Sequence, residues 1–239
     1  MLKSRISLLL ILLFPLTFAA QGQVQVNQSA YAYALDSTMN KWTPTGIRVG
    51  MDIAGPIYSL LEPSVSRYEI TTDIDLHKFF GVIEIGHGSY KTGIDSANYT
   101  SNGFFYRVGM DANFIAKDPN LNVFFFGLRY ASSLFNENMS GNLPSSGWGT
   151  QTISLEQNSS RASWAEMNIG MRVRIWKSIF AGYTARLKIL KHNTYSKEEF
   201  QSYYIPGFGK ADRTTNWGFS YYIQYRFEWK KKPIPWRKN

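Results

Sequence analysis

The sequence contains no cysteine. That excludes disulfides, thiolate metal sites and a lipid anchor on an N-terminal cysteine. Histidine is nearly missing too, and His77, His87 and His192 fall on separate segments. No His-rich metal motif, Gly-rich phosphate loop or internal repeat is present, so neither a metal nor a cofactor is expected. Charged residues make up only 18 % of the 239 positions, yet Lys and Arg outnumber Asp and Glu by 26 to 17. Long apolar runs are absent, with one exception at the N-terminus.

There, the basic start Met1-Leu2-Lys3-Ser4-Arg5 leads into an apolar run from Ile6 to Ala20, followed by Gly22. A basic start, a short greasy core and small residues at the cut site describe a secretory signal peptide, here residues 1–22. Pro15 breaks the run and no second apolar stretch of about 18 residues follows, which argues against a spanning helix. Export makes nucleic acid an unexpected partner despite the net charge of +9. The remaining chain, about 217 residues, suits one domain.

Aromatic residues are abundant, at 16 %, while the mean hydropathy of −0.26 is that of a soluble protein. The last strand-like segment shows how both hold. Trp217, Phe219, Tyr221, Ile223, Tyr225, Phe227 and Trp229 occupy every second position, and Gly218, Ser220, Tyr222, Gln224, Arg226 and Glu228 lie between them. Alternate side chains of a strand face opposite ways, so one face is greasy and the other polar and charged. A transmembrane β-barrel needs such strands, and hydropathy windows miss them.

Seven further period-two segments follow this pattern, near residues 45–53, 66–76, 79–90, 104–115, 122–135, 161–176 and 178–191. Gly50, Gly86, Gly109, Gly127, Gly170, Gly182 and Gly218 all take the polar face. Their place beside Arg or Asp predicts a narrow interior packed by long charged side chains. Short links, such as His77-Lys78 and Lys177-Ser178, alternate with long ones at 60–66, 91–103, 136–160 and 192–213, the outer-membrane pattern of short periplasmic turns and long outer loops. The expectation is an all-β, eight-stranded antiparallel transmembrane barrel over residues 45–229. A periplasmic lead-in (23–44) and a basic periplasmic tail (230–239) flank it. Phe79, Phe80, Phe114, Phe124, Trp176, Phe227 and Trp229 are expected at the periplasmic rim.

Gly46-Ile47-Arg48-Val49-Gly50-Met51-Asp52, the Ile57–Leu61 stretch and the aromatic closing strand with its Lys-rich tail resemble a family of small outer-membrane β-barrels of Bacteroidota of uncharacterised function. The resemblance implies an outer-membrane location and a role beside the machinery that assembles outer-membrane proteins. It implies no catalytic residue.

Candidate residues fall into three groups. Inward Arg48, Arg107, Arg129, Arg172, Arg174 and Arg226 are expected to pair with Asp52, Asp111, Glu166 and Glu228 in a charge-filled interior. His87 and Ser89, two apart on one outward face, could form a nucleophile–base pair acting on lipid A, but no carboxylate is in place to orient the imidazole. A small pore is a further reading. The third group would bind partners: Lys230, Lys231, Lys232 and Trp236 in the tail, and Tyr203, Tyr204 and Phe208 in the last loop. The expected activity is therefore non-enzymatic, binding or scaffolding other envelope proteins in contact with outer-membrane lipid and lipopolysaccharide.

Overall fold

A computed structural model describes residues 42–94, 97–145, 149–194 and 201–230. The signal segment, nearly all of the lead-in, and Lys231, Lys232 and Trp236 lie outside the described residues.

Eight strands form an antiparallel ring. They are β1 (Gly46–Asp52), β2 (Val65–Leu76), β3 (Phe79–Ile94), β4 (Ala97–Asn113), β5 (Val123–Ser145), β6 (Gly149–Trp176), β7 (Ile179–Thr194) and, after a small inserted hairpin, β10 (Thr215–Glu228). Neighbours in sequence are neighbours in space, and the sheet closes because β1 pairs with β10 as well as β2. The hairpin is β8 (Tyr204–Ile205) with β9 (Gly209–Lys210).

The period-two pattern resolves as the sequence predicts. Met51, Ile70, Ile85, Phe104 and Leu128 point outwards and are 58–66 % exposed, whereas Arg48, Glu84, Arg107, Asp111 and Glu166 point inwards and are at most 3 % exposed. The outward apolar belt ends near Phe104 and Leu134, above which Asn102, Asn98, Asn136 and Asn138 face out instead. Glycines make room for the filling: a Cβ on Gly127 would lie 2.0 Å from an Asp111 carboxylate oxygen.

Three expectations need correction. Long loops at 91–103 and 136–160 are instead mostly strand, because β3 to β6 continue well past the belt. With no greasy side to face there, alternation fades although backbone pairing persists. Phe80, placed at the rim by its position, is 4 % exposed and belongs to the interior.

Finally, part of the 60–66 link is the end of a helix, α1 (Ala54–Leu61). Asp52 starts it by accepting from the N–H groups of Ala54 (3.2 Å) and Gly55 (3.1 Å), as an acidic cap does. β1 is short, and its pairing stops at Met51↔Ile70 on one side and Asp52↔Tyr222 on the other. Beyond that point, α1 packs between β2 and β10 and occupies the seam. Side chains bridge it: Arg67 reaches Asp52 (2.9 Å) and the Phe219 carbonyl (3.0 Å), and the Tyr221 N–H donates to Asp52 (3.0 Å).

Candidate functional site

The ring interior is the most heavily built part of the molecule. At mid-height, Glu84 of β3 meets three arginines: Arg107 (3.3 Å), Arg186 (2.6 Å) and Arg129. Arg107 also binds Glu69 and Glu166, each at 2.8 Å, and Arg186 reaches the same pair at 3.0 and 3.4 Å. Asp111 joins Arg129 to Arg172, and Asp73 receives Arg48 at 2.8 Å. Neutral donors complete the shell: Trp164 to Glu166 (2.7 Å) and Tyr222 to Glu69 (2.9 Å). Desolvating so many ions costs several kcal/mol each unless partners surround them. Alternation puts these residues on one face, and closure brings ions from seven strands, β1 to β7, together.

Cationic side chains also lie on rings. Arg48 sits 4.4 Å above Phe80, Arg107 4.5 Å from Phe105 and Arg172 4.2 Å from Phe125, contacts that gain strength where water is excluded. Interior aromatics were legible only as parity: Phe105, Phe125 and Trp164 share the face of the charged residues.

Not every expected member joins the network. Glu228 pairs with Arg226 at 3.3 Å, but its side chain is 39 % exposed and stands at the rim. Arg174 is half-buried and makes no ion pair with a described residue; its guanidinium lies 5.4 Å from the Phe180 ring. Asp52 is buried and paired with Arg67, yet it serves the seam and not the centre.

The last loop overturns another expectation. Phe208, offered as an exposed partner-binding residue, is 1 % exposed. The β8–β9 hairpin dips into the ring and caps the charged layer with an apolar one, in which Phe208 and Ile205 pack with Phe105, Phe135 and Trp164. Gly207 permits the turn, with φ +81, and a Cβ there would come within 2.5 Å of the Phe105 ring. Lys188 locks it, donating to the carbonyls of Gly207 (2.7 Å) and Phe208 (3.1 Å), and Arg107 adds a bond to Gly207 (3.1 Å).

Above this plug, Tyr204 is half-buried and stacks on Tyr90 at 4.7 Å, while Tyr203 stays accessible beside Lys210. Ser202 (2.6 Å) and Tyr99 donate to Glu137. Burial raises the Glu137 carboxyl above the usual carboxylate range, and those two hydrogen bonds pull it part of the way back.

His87 and Ser89 share the outward face of β3. The register sets Tyr68 and Phe104 beside His87, and Ser66 and Asn102 beside Ser89. No carboxylate occupies those flanking positions, and the imidazole packs edge-on to Phe104 at 4.8 Å. Asp95, the loop acid nearest in sequence, lies outside the described residues. Of the tail, Lys230 is described, and it is exposed. Among the described residues no group of three His, Asp or Glu is placed to hold a metal ion.

An all-β antiparallel ring, packed with its own ion pairs and plugged by its last loop, defines the class of protein. The family follows from the sequence: residues 1–232 match the model described as a domain of unknown function, DUF6048, and the chain belongs to that family. No curated protein and no solved structure matches the chain.

Proposed function

We propose that the chain is an outer-membrane β-barrel with its short turns and both termini in the periplasm, akin to the small Bacteroidota barrels that it resembles. The carrying observation is the inverted surface. Ile70, Ile85 and Leu128 stand more than half exposed around a ring whose Glu84, Arg107 and Asp111 are buried. Hydrocarbon favours a closed ring with this polarity, because every strand pairs and only apolar side chains meet lipid. Exposed Trp176, Phe227 and Trp229 at the short-turn end suit a headgroup girdle.

Within that reading its work is non-enzymatic: it binds or scaffolds other envelope proteins. The filled interior, the lack of a carboxylate flanking His87 among the described residues, and the accessible Tyr203 and Lys230 support this.

The membrane part is tested by refolding the full chain with outer-membrane lipid vesicles. A heat-modifiable, protease-protected barrel is expected; recovery in the aqueous phase would overturn it. The scaffolding part is tested by photo-crosslinking from Tyr203 and Lys230 in cells, with and without residues 231–239. A defined protein adduct at one of these positions is expected, and its absence at both counts against the role.

A further inference from the structure

The short-turn end of the interior holds more positive charge than its carboxylates match. Around the centre Arg107, Arg129, Arg186 and Lys188 face Glu69, Glu84 and Glu166. Towards the short turns Arg48, Arg172, Arg174 and Arg226 face Asp73, Asp75 and Asp111, the last shared by Arg129 and Arg172, with Glu228 out at the rim, so that eight inward cations meet six buried carboxylates.

The excess is crowded. β1 and β10 set Arg48 directly opposite Arg226, a position in which like charges repel. Arg48 and Arg172 share the Phe80 ring, at 4.4 and 5.7 Å, and Arg48 and Arg174 share the Phe180 ring, at 5.5 and 5.4 Å. Nη2 of Arg48, on a side chain 3 % exposed, has no hydrogen-bond partner among the described residues; neither do Nη1 of Arg172 and Nε of Arg174. Nη1 of Arg226 meets only the rim carboxylate of Glu228, without hydrogen-bond geometry.

A cavity of about 10 Å³ adjoins two of these arginines, Arg48 and Arg226, and is lined also by Phe80, Asn113, Asn122 and Asp75 among others. That is room for one water-sized guest. Asp75 is already engaged by the N–H groups of Thr45 (2.7 Å) and Gly46 (3.0 Å) and by Arg226 (3.3 Å).

We propose that this cavity binds one small monovalent anion of halide size, held by Arg48 Nη2 and the Arg226 guanidinium. Water could satisfy the N–H but would leave the charge excess unmatched, whereas an anion answers both needs. The inference depends on the ring interior and not on what surrounds the ring, so it stands or falls separately from the membrane reading.

The test uses the full-length chain refolded in detergent. Crystals grown in bromide should show an anomalous peak within about 3.5 Å of Arg48 Nη2. In solution, the chloride NMR line should broaden with wild type and several-fold less with Arg48→Gln. If that variant does not refold, Arg226→Gln serves, since Arg226 is the other cation lining the cavity; removing its charge should weaken the broadening as much. Water density in the cavity, bromide on the outer surface alone, or broadening unchanged in the variant that folds would each overturn the proposal.

Discussion

Two layers fill the same ring by opposite means. The central layer is built from wall side chains, all charged and held by mutual pairing around Glu84 and Arg107. The layer above is apolar, and its key residues, Ile205 and Phe208, arrive on an inserted loop. A charged layer needs every partner present, because one deletion leaves buried ions unmatched. The apolar layer needs only volume and shape, so damage there should stay local. Filling by the wall fixes the ring; filling by a loop adds a removable stopper.

The harshest way to break that contrast is Glu84→Leu, which leaves Arg107, Arg129 and Arg186 short of a common anion. A loss of about 3–5 kcal/mol is expected, or failure to refold, read as the urea midpoint of the refolded protein. Phe208→Ala should cost about 3 kcal/mol, but only in seating the plug. Limited proteolysis would then cut within 201–214 while the ring stays intact; a ring that melts with the plug would show the two layers to be one unit. Lys188→Met should loosen the plug by about 1.5–3 kcal/mol, since it removes a charged donor from two carbonyls, and hydrogen exchange at 204–210 would report it.

The smallest effect belongs to pH. Because the Glu137 carboxyl is raised by burial, its contribution to the closed plug is complete at acid pH and is lost as pH rises through that raised value. Exchange at 202–205, corrected for intrinsic rate, should therefore quicken towards neutral pH in wild type and stay level in Glu137→Gln.

Strand identity and facing were legible because burial on one side and grease on the other impose a period of two. The partners of Glu84 were not: parity says that Arg107 and Arg186 face inwards, but only ring closure decides that both reach one carboxylate. The plug hid for a different reason. Tyr203 to Phe208 reads as an exposed aromatic patch until Lys188, from β7, is seen to hold its turn inside. Helix α1 carried a local signal in Asp52 followed by Gly55-Pro56, yet eight residues between two strands are easily read as a loop.

The short first strand leaves the ring with an incomplete zipper. Along most of the circumference, separating neighbours means breaking a full ladder of backbone hydrogen bonds. Beside Asp52 it means displacing one small helix and parting a carboxylate from a guanidinium. Were the ring ever pulled open sideways, the tear would start there.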